Sequence, residues 1–153
     1  MKPKFTLLEA KMKLESFCAY QERCEYELRN KMREWGMHQE DIEALLADLI
    51  SNNFLNEERF ARAYCSGKFR IKHWGRIKIK QGLKHKGISD YSINQGLSEI
   101  DEEEYKETLL KLAKKKKLPH LSRDSWEYKA KISKYLHTKG FEPSLIQLLL
   151  FNE

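Results

Sequence analysis

Most features that would mark an enzyme, a membrane protein or a disulfide-stapled scaffold are missing from this sequence. Cysteine is scarce: Cys18, Cys24 and Cys65 are the only three. An odd, small set makes no disulfide framework and suits a reducing compartment. Cys18 and Cys24 have no histidine near them in sequence, so zinc-ligand spacing is absent and all three read as small buried or half-buried side chains. No run of about 18 apolar residues exists to span a bilayer. The opening Met1-Lys2-Pro3-Lys4 passes directly into amphipathic sequence, without the apolar core of a secretory signal, and the expected location is the cytoplasm. There is no glycine-rich phosphate loop, and no serine sits in a nucleophile elbow. The acids fall mainly at helix starts and on solvated faces. His38, His73, His85, His120 and His137 are scattered. No catalytic residue, cofactor or metal is expected, and the chain is not read as an enzyme.

The most telling shortage is of acid in one place. From position 59 to 89 there is no Asp or Glu, while ten cations occur: Arg59, Arg62, Lys68, Arg70, Lys72, Arg76, Lys78, Lys80, Lys84 and Lys86. The rest of the chain holds nineteen cations against twenty-three acids, so the whole net charge of +6 arises in this stretch. A solvated face normally mixes signs, and such a block points to an anionic partner. Arg76, Lys80 and Lys84 fall at i, i+4 and i+8, one line along a helix. Lys68, Arg70, Lys72, Lys78 and Lys86 surround that line, with Phe69 and Trp74 interleaved. These eight cations are the candidate partner- or DNA-binding residues. Phosphate oxygens or an acidic protein groove would both fit them, against the plainer reading of a solvated face; the two aromatics read as packed rather than stacked on bases. A second basic block, Lys114 to Lys117, sits where a helix end favours cations anyway.

What is present is a threefold recurrence. Gly36, Gly87 and Gly140 are separated by 51 and 53 residues. Eight before each stand Leu28, Ile79 and Ile132; four before, Met32, Leu83 and Leu136. One after come Met37, Ile88 and Phe141; six after, Ile42, Ile93 and Ile146; ten after, Leu46, Leu97 and Leu150. Apart from the residue just after the break, these offsets are one-face helical spacings on either side of it. The expectation is an all-α array of three tandem three-helix repeats, elongated and curved, covering 1–153 as about 6–54, 56–100 and 101–153, without a separating linker. Such arrays bury apolar faces between neighbouring copies.

Local signals supply the helix ends. Thr6 with Glu9 forms a capping box, Asn56 and Ser89 are N-caps, 101–104 is a capping signature, and Pro143 suits a first helical turn. Expected inner residues are Ile42, Leu45, Leu46, Leu49 and Ile50 in the third helix, Phe60, Tyr64, Gly67 and Ile71 in the fourth, and Tyr105, Leu109 and Leu112 in the seventh. The segment 76–83 alternates apolar and basic residues like a strand, yet Ile79 and Leu83 occupy the helical slots of Leu28 and Met32, so it is read as helix. Each repeat also resembles a helix-turn-helix. The helix after each of the first two turns carries no Lys or Arg, so reading of the DNA groove by those helices is disfavoured.

Several blocks resemble the RecX family: 20–32 (YQERCEYELRNKM), 53–61 (NFLNEERFA), Lys68-Phe69-Arg70, Trp74-Gly75-Arg76 and 84–88 (KHKGI). The resemblance covers most of the chain and is weaker in the third unit. Cys24 stands where many members have serine, and Asn56-Glu57 replaces a frequent pair of aspartates. The resemblance implies a regulator of the RecA recombinase that lies along the groove of the RecA–DNA filament and lowers ATP hydrolysis, strand exchange and coprotease activity. It also implies weak DNA binding and no catalytic residue; a monomer is expected. Replacing Arg76, Lys80 and Lys84 by Glu is expected to abolish filament binding without unfolding the chain. The alternatives are a basic nucleic-acid-binding helical protein that acts without RecA, and a protein-binding adaptor indifferent to DNA.

Overall fold

The computed structural model describes residues 2–152, so the terminal residues of the expected 1–153 array lie outside it. Among the described residues there are nine helices and no strand. They are α1 (Leu7–Tyr20), α2 (Glu25–Glu34), α3 (Gln39–Ser51), α4 (Glu57–Arg70), α5 (Arg76–His85), α6 (Asp90–Ser98), α7 (Glu102–Lys115), α8 (Trp126–Thr138) and α9 (Pro143–Ile146), which runs on as a π-helical turn over Gln147–Phe151. Helix packing falls within threes: α3 on α1 and α2, α4 on α5 and α6, α8 on α7 and α9. Segment 76–83 is helical, as the register of Ile79 and Leu83 requires.

The three glycines close their helices alike. Gly36, Gly87 and Gly140 have φ of 72°, 75° and 102°, the left-handed region that a Cβ disfavours. In each copy the glycine N–H donates to the carbonyl three residues back, at 3.0, 3.0 and 2.9 Å. The next N–H donates to the carbonyl of Met32, Leu83 or Leu136, at 3.1 Å in all three. The apolar slots at −8, −4 and +6 are buried in every copy. At +10, Leu46 is buried, whereas Leu97 and Leu150 are only partly covered.

Helix starts follow the caps. Thr6 and Glu9 exchange the reciprocal hydrogen bonds of a capping box. Asn56 Oδ1 accepts from Arg59 N–H (2.9 Å), Ser89 Oγ from Ser92 N–H (3.3 Å) and Asp101 Oδ2 from Glu104 N–H (2.9 Å). Glu57 does more than favour a helix dipole: its carboxylate accepts from the hydroxyls of Ser89 and Ser92, both at 2.7 Å, and so ties the start of α4 to the start of α6.

Five expected inner positions are corrected. Ile50 is 51% exposed and Ile71 75% exposed, while Tyr64 and Gly67 are only half-buried. The buried stripe of α4 is Phe60, Ala61, Cys65 and Phe69, rotated from the expected one. The rotation follows from α6, whose Gly96 lies against Ala61 and Cys65 so closely that a Cβ there would be 2.9 Å from the Ala61 carbonyl oxygen. In α7, Leu112 is partly covered and Ala113 takes the buried place beside Tyr105 and Leu109.

The cores are not three equal copies. Residues of the first repeat, among them Leu14, Leu28, Met32, Trp35, Ile42 and Leu49, make one cluster. Repeats two and three share a second, continuous cluster that includes Phe60, Phe69, Ile79, Leu83, Tyr105, Leu109, Ile132, Leu136 and Phe141, to which the first repeat adds Cys24. All three cysteines are buried free thiols. Burial raises the Cys24 thiol to about 11 and the Cys65 thiol to about 12, so both rest as inert core groups.

Candidate nucleic-acid interface

Two junctions between repeats divide the middle repeat's cations into those spent on the fold and those left over. At the first junction Arg59 reaches back to the preceding repeat. Its Nε donates to Glu22 (2.6 Å), and its Nη2 donates to the carbonyls of Asn53 (3.0 Å) and Phe54 (3.2 Å). Lys86 Nζ pairs with Glu27 at 3.2 Å, and Tyr26 lies edge-on to His85 with ring centroids 5.6 Å apart. Lys86, only 23% exposed in its side chain, therefore belongs to the fold.

At the second junction the main chains touch. Gly75 N–H donates to the Lys139 carbonyl at 2.7 Å, and Ile77 N–H to the Gly140 carbonyl at 2.9 Å. A Cβ on Gly75 would lie 2.3 Å from the Gly140 carbonyl carbon, which is why glycine stands there. Arg76 follows directly, and its guanidinium turns inward. It donates to Glu142 (2.8 Å) and to Glu102, and sits 3.9 Å from the centre of the Tyr105 ring. The Tyr105 hydroxyl accepts from Arg76 N–H at 2.9 Å and donates to Glu142. Burial works against the Arg76 charge, but the Glu142 hydrogen bond and the neighbouring carboxylates outweigh it and hold the pKa above its ordinary value. Burial, reinforced by the bond to Glu142, pushes the Tyr105 hydroxyl well above its usual range.

This corrects the expected line of three. Arg76 is part of the clasp between repeats two and three and is not free to face a partner. The triple replacement by Glu expected to spare the fold would instead set a third carboxylate beside Glu102 and Glu142. Lys80 and Lys84 remain on the exposed face of α5; Lys80 has no ion-pair partner among the described residues, and Lys84 lies 3.6 Å from Asp90. Arg70 is exposed and 3.5 Å from Glu104.

Three more of the expected residues gather around Trp74. His73, at φ 57°, closes α4 in the left-handed region, and Trp74 N–H donates back to the Lys68 carbonyl at 3.0 Å. That turn lays the indole between α4 and α5. Lys68 Nζ sits 4.8 Å from the Trp74 ring centre and Lys78 Nζ 4.6 Å. The main-chain carbonyl of Lys72 accepts from Lys139 Nζ at 3.0 Å, which brings a lysine of the third repeat to the same place. Phe69, by contrast, is buried against Tyr105 and reaches no surface. Sequence reasoning missed Lys139 because it lies outside 59–89. Its signal was the register: it stands one residue before Gly140, as Lys86 stands one before Gly87.

The leftover cations of the middle repeat therefore lie in separate places: Lys68, Lys72 and Lys78 about Trp74, joined by Lys139, and Lys80 with Lys84 on the exposed side of α5, while Arg70 stands apart beside Glu104. An arrangement of several ammonium groups beside one flat ring suits the backbone of a nucleic acid more than a small substrate. No helix among the described residues is long and apolar enough to cross a membrane.

Comparison with known proteins agrees with this architecture. Family models match in three consecutive pieces: the first three-helix domain of RecX at residues 10–49, the second at 56–97 and the third at 102–150. The regulatory protein RecX of Clostridium perfringens is 34% identical over 137 residues, covering 86% of this chain and 64% of the relative. That of Clostridium acetobutylicum is 34% identical over 143 residues, covering 91% and 66%. The chain thus spans a little under two thirds of the length of these relatives. The crystal structure of RecX from Lactobacillus salivarius superposes with a TM-score of 0.80 at 25% identity, covering 95% of each chain. Three family domains in unbroken order, a matching fold and the triplicated glycine turn lead to one conclusion: this chain belongs to the RecX family.

Proposed function

We propose that this chain is a non-enzymatic regulator of the RecA recombinase that lies against the RecA–DNA filament in the cytoplasm, as a monomer, and lowers RecA's DNA-dependent ATP hydrolysis during recombinational repair. The observation that carries the reading is the excess of unspent cations on the middle repeat. Arg59, Arg76 and Lys86 are consumed by the two junctions, yet Lys68, Lys72, Lys78 and Lys80 have no carboxylate within ion-pair distance among the described residues. A polyanionic fibre supplies the missing charge. A filament repeats its surface, so a chain of three units in series contacts several subunits at once and gains from their simultaneous engagement. Bridging neighbouring subunits opposes the rearrangements that accompany hydrolysis and growth.

The test is the DNA-dependent ATPase of RecA from the same organism, with and without this protein. Wild type is expected to inhibit. Lys78→Glu/Lys80→Glu/Lys84→Glu, which leaves the Arg76 clasp intact, is expected to raise the half-inhibitory concentration at least about tenfold, since each lost phosphate contact weakens binding further at moderate salt. Inhibition by the triple variant at wild-type concentrations would remove this face from the mechanism. Tight binding to bare DNA with no effect on RecA would replace the proposal with that of a general nucleic-acid-binding protein.

A further inference from the structure

The two junctions are built on the same register but carry different charges. Glu27 stands nine residues before Gly36, and Lys78 nine before Gly87. Lys86 and Lys139 each stand one before their glycine. At the first junction these slots hold a lysine and a glutamate, paired at 3.2 Å. At the second they hold two lysines. The slots are adjacent here as well: a Cβ on Gly140 would lie 2.4 Å from Lys78 Cβ.

The fold does not need a glutamate at the second junction. Glu27 accepts from the N–H of Cys24 at 3.2 Å, whereas the equivalent N–H, on Gly75, is held by the Lys139 carbonyl. The main chain has taken over the hydrogen bond, and the side-chain position is released to carry the opposite charge. The outcome is two ammonium groups on the Trp74 ring, those of Lys68 and Lys78, with the Lys139 ammonium held on the Lys72 carbonyl beside them and the Lys72 side chain exposed in the same turn. The nearby carboxylates are already engaged: Glu104 by Arg70, Glu102 and Glu142 by Arg76, and Glu22 and Glu27, which line one hollow with Lys68 and Lys72, by Arg59 and Lys86. Lys139 feels its surroundings: burial lowers its pKa most, and repulsion from Lys78 and Lys72 adds to it. A single carboxylate would offset one of these charges. A phosphodiester strand, with several charges in series and flat bases to set against an indole, matches the set more fully.

We propose that Lys68, Lys72, Lys78 and Lys139, grouped around Trp74, bind a phosphate group of a single-stranded nucleic-acid backbone in the place that the Glu27 carboxylate fills at the first junction. This deepens the reading of the basic face, but its test contains no RecA, so either idea can fail while the other stands. Binding of a fluorescein-labelled single-stranded oligonucleotide is followed by anisotropy at several salt concentrations, for wild type, Lys78→Glu and Lys111→Glu. Lys78→Glu recreates the lysine–glutamate pair of the first junction, so its thermal midpoint is expected to equal or exceed that of wild type. Its dissociation constant is expected to rise about tenfold, and the salt slope to fall by about one. Lys111→Glu makes the same charge change on the exposed side of α7 and is expected to cost less than about threefold. Lys72→Glu, on an exposed side chain, serves as a second site variant with the same expected loss. Equal losses for Lys78→Glu and Lys111→Glu, or no oligonucleotide binding by wild type at low salt, would overturn the proposal. So would a thermal shift with inorganic phosphate but no response to the oligonucleotide, which would leave a small-anion site alone.

Discussion

The Tyr105 hydroxyl joins three segments at one oxygen, accepting from the first N–H of α5 and donating to Glu142 at the start of α9. Tyr105→Phe keeps the ring contacts with Phe69 and Phe141 but strands the Arg76 N–H in a half-buried place. The expected cost is about 1–3 kcal/mol in urea unfolding; a loss much below that range would mean that water replaces the hydroxyl. Glu57 gives a pH signature of definite sign. Burial disfavours its ionised form, but hydrogen bonds from Ser92 and Ser89 outweigh burial and depress the carboxyl below its ordinary value. Its contribution is therefore present above the unfolded-state pKa and fades as pH falls through the lower, folded value. Unfolding free energies taken from neutral pH down to about pH 3 are expected to decline less steeply in Glu57→Gln than in wild type. Identical slopes would show that Glu57 does not carry the dependence. At this scale the caps were legible in the sequence, because a cap and its target lie three residues apart. The clasp was not: Arg76 and Glu142 are sixty-six residues apart, and nothing local in an acid-free stretch shows that one of its cations is neutralised from a distance.

Among whole helices, α4 shows where periodicity stops being informative. Phe60, Tyr64, Gly67 and Ile71 keep helical spacing, yet the buried face is turned toward Ala61 and Cys65 because α6 approaches through Gly96. Small residues carry a weak hydropathy signal, so a close crossing made by Ala, Cys and Gly is hard to read from one sequence. Gly96→Val is expected to push the two helices apart at a cost of about 1–3 kcal/mol or more, read by thermal or urea denaturation; a neutral result would contradict the observed approach. The turns allow a sharper comparison. A Cβ at Gly87 meets open space, while at Gly140 it meets Lys78. Gly87→Ala is therefore expected to cost about 1–2 kcal/mol for the left-handed backbone alone, and Gly140→Ala clearly more. The helical state of 76–83 was legible only through comparison with the other copies, since its own alternation mimics a strand. The π-helical turn that ends α9 has no counterpart in the other two repeats and left no mark in the pattern.

For the molecule as a whole, triplication was legible and inequality was not. The same apolar offsets recur in each copy, yet the third repeat shares its core with the second while the first keeps its own. The reason lies in Tyr105 and Phe141, which fill the space between repeats two and three; the first junction relies on Arg59, Lys86 and their carboxylates, with Cys24 as its buried apolar contribution. Ion pairs of half-exposed side chains stabilise little and are screened by salt. Amide hydrogen exchange on the full chain is expected to show α2 and α3 opening sooner than α5 and α8, with the gap widening at high salt. Uniform protection across all nine helices would refute a difference between the junctions. The basic face was legible as a charge count but not as a shape, because the count cannot separate cations that hold repeats together from those that await a partner.

The main-chain contact between Gly75 and Gly140 sets the spacing of the lysines on either side of it as rigidly as a rung sets two rails. The ion-paired joint before it has no such rung. A chain assembled this way is expected to yield first at its leading joint, so that its first repeat reorients more readily than the backbone that carries the lysines.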